Sequence, residues 1–287
     1  MGIEKGGTFA IGGETRVHRL GFGAMRLTGP NVWGEATDAG NPQRLLHRAR
    51  ELGINLIDTA EAYGPHVNER QIREALAPYP DDLLIATKCG LLRTWPEGAK
   101  YPLATPDGRP SSLRASTEGS LRRLGVERID LQQLHRVDPQ VPVEESVGAL
   151  AELKAAGKIA HIGLSEVDVE QLARAKAITP IATVQNKFNV ADREHEAVLR
   201  YCEEHDIGFM PWYPIGGGKA QSGAVVASLA DRYRVLPAQI ALAWLLKRSP
   251  NMLLIPGTAS VAHLEENVGA CDVDLNDEDM RELDGAA

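Results

Sequence analysis

Asn55-Leu56-Ile57-Asp58-Thr59, followed by Ala60-Glu61-Ala62-Tyr63-Gly64, is a short apolar run that breaks into polar and glycine positions. Too short for a helix and rich in branched side chains, it reads as a strand. Seven more such runs are spaced along the chain, at residues 20–25, 83–88, 129–135, 159–165, 182–188, 208–214 and 252–256. Helical patterns separate them. Val143, Val147, Leu150 and Leu153 recur at steps of three and four before Gly157. Asp168 stands where an N-cap belongs, and Pro237 opens a helical pattern over residues 238–246. Eight β-then-α units imply a parallel sheet, because each crossover returns the chain to the same end. The expected fold class is α/β, a (β/α)8 barrel. Ahead of it, Thr8-Phe9-Ala10-Ile11 and Arg16-Val17-His18-Arg19-Leu20 flank Gly12-Gly13-Glu14-Thr15 and predict an N-terminal β-hairpin. An open doubly wound sheet is the alternative, but Gly21-Phe22-Gly23-Ala24-Met25-Arg26 fails the dinucleotide glycine fingerprint at its last position. No composition shift marks a linker, so residues 1–287 are expected to form one domain.

The composition narrows the function. A net charge of −8 with no Lys/Arg run argues against nucleic acid as a partner. No apolar stretch is long enough to span a membrane, and the first residues lack a signal peptide's apolar core. Cys89, Cys202 and Cys271 are widely spaced and odd in number, which predicts free thiols and a cytoplasmic protein. His195 and His205 lie among glutamates, but no spacing brings three ligands together, so no metal is expected. A monomer or simple homo-oligomer acting on a small molecule is the expectation that remains.

In such a barrel, chemistry gathers where strands end. The second run ends at Asp58 with Tyr63 beyond it, the third at Lys88, and the fourth at His135. A tyrosine is too weak an acid near neutrality, and a neighbouring ammonium is expected to lower its pKa. Lys88 can supply that charge, Asp58 can hold it, and His135 can orient a substrate oxygen. Together they make a general acid for a carbonyl, which implies a separate hydride donor. Lys88 read alone admits a Schiff-base lyase. A cofactor-binding regulatory protein without turnover is the other reading.

Asp58-Thr59-Ala60-Glu61-Ala62-Tyr63-Gly64, Ala86-Thr87-Lys88, Leu134-His135 and Ile255-Pro256-Gly257-Thr258 with Glu266-Asn267 resemble the motifs of the aldo-keto reductase superfamily. The resemblance covers nearly the whole chain. Gly21-Phe22-Gly23-Ala24-Met25-Arg26-Leu27-Thr28-Gly29-Pro30 is similar to bacterial members near the pyridoxal reductases. It implies Asp58, Tyr63, Lys88 and His135 as the catalytic four, with Tyr63 as proton donor. It implies NADP(H), with NAD(H) the weaker expectation. Ser165 and Gln185 then hold the nicotinamide carboxamide, and Trp212 stacks on its ring beside Tyr213. Gly23, Pro214, Ile215, Gly216 and Lys219 border the dinucleotide, as do Ile255 and Gly257. Thr258, His263, Glu266 and Asn267 surround its adenosine end. Many relatives carry lysine where Gly257 stands and arginine where His263 stands, so the resemblance implies a weakened grip on the 2′-phosphate. Trp33 and Trp95, in loops after the first and third strands, are expected to line the substrate pocket, which should accept a flat aromatic aldehyde such as pyridoxal.

Overall fold

The computed structural model describes residues 2–216 and 223–285. The hairpin comes first, with β1 (Thr8–Ile11) antiparallel to β2 (Thr15–His18). A parallel sheet follows: β3 (Phe22–Gly23), β4 (Leu56–Asp58), β5 (Leu84–Cys89), β8 (Ile129–Leu134), β9 (Ile159–Ser165), β10 (Thr183–Gln185) and β11 (Gly208–Phe209), each paired with the next. The eighth run closes the barrel through single bridges rather than a ladder. Met252 bridges Phe209 and Leu254 bridges Leu20, with 2.7 Å bonds from Leu254 N to Arg19 O and from Gly21 N to Leu254 O. Pro256 removes the next donor. Between β5 and the following helix lies a second hairpin, β6 (Leu91–Thr94) and β7 (Leu103–Pro106). The sequence predicts only a loop there, carrying Trp95.

The helices pack outside, beginning with α1 (Asn41–Glu51), α2 (Val67–Leu76) and α3 (Pro110–Leu124). The periodic segment is α4 (Val143–Ala155), buried through Val143, Val147, Leu150 and Leu153, and Gly157 ends it at φ 76°. Asp168 caps α5 (Val169–Lys176) by accepting from Gln171 N at 2.7 Å. After α6 (Glu196–Glu204) and α7 (Ala224–Tyr233), Pro237 is the first residue of α8 (Pro237–Arg248).

Strand alternation positions the site. In β4, Leu56 packs inside the barrel and Ile57 outside against helices, so Asp58 turns inward. In β5, Leu84 and Ala86 face in and Ile85 and Cys89 face out, which places Lys88 inside. In β8, Leu131 faces in and Leu134 out, which turns Gln133 inward and aims His135 to the same side. Ile11 and Val17 of the first hairpin join Leu56, Leu84 and Leu131 in the interior cluster and close the end opposite the mouth.

Candidate active site

Lys88 is fully buried, and its ammonium spends its three protons on three acceptors. It donates to Asp58 Oδ2 at 2.5 Å, to the Thr59 carbonyl at 2.9 Å and to Tyr63 Oη at 3.3 Å. The other carboxylate oxygen, Asp58 Oδ1, accepts from Gln133 Nε2 at 3.1 Å and from Gln185 Nε2 at 2.9 Å. Burial pushes the Lys88 ammonium down, but Asp58 and Tyr63 beside it leave it above its ordinary value. Lys88 is therefore charged near neutrality.

Tyr63 corrects one expectation. Burial pushes its phenol up, Lys88 offsets only part of that, and the net direction is upward rather than downward. The phenol thus keeps its proton at neutral pH. His135 stands edge-on to Tyr63, ring centroids 5.9 Å apart. Burial, then Lys88, Arg136 and Arg93, hold the His135 ring well below its ordinary value, so it is neutral. Its Nδ1 is buried without a partner among the described residues.

These groups open onto a cavity of about 460 Å3. Of the residues singled out in the sequence, Gly23, Asp58, Tyr63, His135, Gln185, Trp212, Tyr213, Pro214, Ile215, Ile255 and Gly257 line it. Ser165 is buried at the end of β9, and its Oγ accepts from Arg136 at 3.1 Å. Gly216 is buried at φ 60°; Lys219 lies outside the described residues. Thr258, His263, Glu266 and Asn267 do not line the cavity; they lie at and within α9 (Val261–Gly269). There Thr258 Oγ1 accepts from Ser260 N at 3.0 Å, and His263 is exposed. Trp33 and Trp95 are also outside the lining and pack edge-to-face on each other, centroids 5.4 Å apart.

From the sequence, Gln133, Met25, Leu91 and Glu166 carry no assigned role, whereas Arg26, Arg93 and Arg136, near strand exits, could meet an anionic substituent, with a solvated surface role the favoured reading for each. Gln133 was visible as a polar residue on the inward face of a buried strand, in step with Leu131 and His135. Met25 and Leu91 add apolar wall, and Arg26, Arg93 and Arg136 add charge. Glu166 accepts from Trp212 Nε1 at 2.5 Å and from Lys187 N at 2.9 Å, which holds the indole in place.

Comparison with known proteins gives the family. The model described as "Aldo/keto reductase family" matches residues 19–287. An uncharacterized oxidoreductase of Schizosaccharomyces pombe is 46% identical over 282 residues, 98% of this chain and 90% of that protein. The pyridoxine 4-dehydrogenase of Escherichia coli is 42% identical over 284 residues, 97% of each chain. An aldo/keto reductase from Klebsiella pneumoniae, solved with NADP and acetate, superimposes with a TM-score of 0.79 at 27% identity, over 97% of this chain and 94% of that one. The chain belongs to the aldo/keto reductase family of nicotinamide-dependent oxidoreductases.

Proposed function

We propose that this chain reduces a small aromatic aldehyde or ketone to its alcohol, with NADPH as reductant and Tyr63 as proton donor. One observation carries the reading: the hydrogen-bonded Asp58–Lys88–Tyr63 chain opens, beside a neutral His135, onto a cavity that fits a small molecule. NADPH, when bound, supplies the hydride. Tyr63 gives its proton to the carbonyl oxygen, and the Lys88 ammonium at 3.3 Å stabilises the phenolate left behind. Being neutral, His135 can donate one hydrogen bond to that oxygen and set its angle.

The residues present fit the cofactor. Gln185 spends its amide nitrogen on Asp58, which leaves its carbonyl to accept from a carboxamide nitrogen, and the Ser165 hydroxyl can donate to the carboxamide oxygen. A Cβ at Gly23 would fall 2.5 Å from the Ile255 carbonyl, and one at Gly257 would fall 2.8 Å from the Gly23 carbonyl. That wall is bare backbone, suited to a close dinucleotide. With Gly257 and His263 in place of stronger cations, we read NADPH as preferred over NADH by a narrow margin.

A Schiff-base role for Lys88 is disfavoured, because an imine needs a free neutral amine and this one is charged and fully engaged. Intact geometry of all four groups favours turnover over a purely regulatory role. We read residues 1–287 as one cytoplasmic unit, monomeric or a simple homo-oligomer, without nucleic acid or membrane partners; the charge of −8 and the three buried cysteines support this. The similarity to a protein named pyridoxine 4-dehydrogenase supports a flat aromatic aldehyde as the substrate class, with pyridoxal among the first to try. The test is a panel of pyridoxal, simple aryl aldehydes, sugars and ketones, followed by loss of NADPH absorbance. The reading expects turnover of pyridoxal or aryl aldehydes; failure of both while sugars turn over contradicts it.

A further inference from the structure

The cavity is charged differently from the molecule around it. Arg26, Arg93 and Arg136 line it, and the one carboxylate in its lining, Asp58, is already paired with Lys88. Among the described residues, Arg93 and Arg136 have no carboxylate partner. Arg93 donates to the Asn31 carbonyl at 2.9 Å, and its Nε is buried with nothing to bond. Arg136 donates to the His135 carbonyl at 2.7 Å and to Ser165 Oγ at 3.1 Å, with its guanidinium carbon 5.9 Å from the centre of the Trp212 ring.

The β6–β7 hairpin explains how Arg93 gets there. Its strand alternates, so Leu91 and Arg93 turn to the cavity while Leu92 and Thr94 face out. Arg136 directly follows His135 at the end of β8. Both arginines act electrically on the reacting groups, for each helps push the His135 ring toward neutrality. Arg26 is different. Its Cγ lies 3.7 Å from the position of a Cβ at Gly257, on the bare backbone wall read above as the dinucleotide's. Partly buried guanidinium groups without counter-ions lose hydration that neutral acceptors replace only in part and an incoming anion replaces well, and a planar donor fork suits carboxylate and phosphate.

Resting on the reductase reading above, we propose that the natural substrate is an aldehyde bearing an anionic group, a carboxylate or phosphate, which Arg93 and Arg136 bind while its carbonyl meets Tyr63 and His135.

The test compares 4-formylbenzoate and 4-formylphenyl phosphate with the uncharged methyl 4-formylbenzoate, on the NADPH-loaded enzyme. Expected is a kcat/KM about tenfold or more higher for an anion than for the ester, expressed mainly in KM. The better of the two anions identifies the source. Arg93→Gln and Arg136→Gln should each bring the ratio toward one, and Arg93→Lys should retain part of it, which separates lost charge from lost fold. If the ester is reduced as well as both anions, the inference is overturned and the reductase reading stands. If no aldehyde is reduced, tryptophan fluorescence decides with the product alcohols. Tighter binding of 4-(hydroxymethyl)benzoate than of its methyl ester supports the anion site while the reductase reading fails; equal binding overturns both.

Discussion

Tyr63 and Lys88 show how burial and pairing divide the work between two residues. The phenol is raised above its ordinary value of 10.0 mainly by burial, and His135 is lowered from 6.5 by burial and three nearby cations. With Tyr63 as the proposed proton donor, reduction needs its phenol protonated, so activity should be lost only as pH rises through its raised pKa. We expect kcat/KM for aldehyde reduction to stay flat from about pH 6.5 to at least about pH 10, with any fall lying above the ordinary tyrosine value. An acidic limb centred between about pH 6 and 7 in the rate profile contradicts a neutral His135. Lys88 also carries a structural duty. Lys88→Met leaves the Asp58 carboxylate buried without its cation, which costs about 3–5 kcal/mol. Adding Asp58→Asn should restore much of that stability but none of the activity; thermal unfolding and turnover of the single and double variants separate the two effects. The types and strand-end positions of these residues were legible in the sequence. The direction of the Tyr63 shift was not, since it depends on how completely the fold excludes water.

The elements were legible where a local period ran long enough. Four apolar positions set α4, Asp168 set the start of α5, and strand ends brought Asp58 and Lys88 to one mouth. The β6–β7 hairpin was not legible, because Leu91-Leu92-Arg93-Thr94 offers only two alternations before Trp95-Pro96. That miss hid the route by which Arg93 reaches the cavity, and it accounts for the placing of Trp95 with Trp33 outside the lining. The N-terminal hairpin is legible from its glycine turn between two short apolar strands, and its burial assigns it a task. Ile11 and Val17 are wholly buried at the barrel's closed end. Ile11→Ala should cost about 2–5 kcal/mol of stability through the cavity it leaves. Because that end lies opposite the mouth, KM for aldehyde and for NADPH should be unchanged; denaturant unfolding with steady-state kinetics checks both, and a raised KM without lost stability goes against this role.

At the scale of the molecule, the barrel's closure depends on a strand too short to form a ladder, which is why eight apolar runs appear as a sheet of seven with bridging hydrogen bonds. Closure brings Asp58, Lys88, Gln133, His135 and Gln185 from four strands to one mouth, although they span more than a hundred residues of sequence. The central claim is that this mouth transfers a proton from Tyr63 as hydride leaves NADPH. Single-turnover mixing of NADPH-loaded protein with an aryl aldehyde, read by nicotinamide absorbance, tests it in wild type and in Tyr63→Phe. The account predicts that Tyr63→Phe binds NADPH with unchanged affinity but oxidises it slower by about 10² to 10⁴. Oxidation at close to the wild-type rate contradicts it.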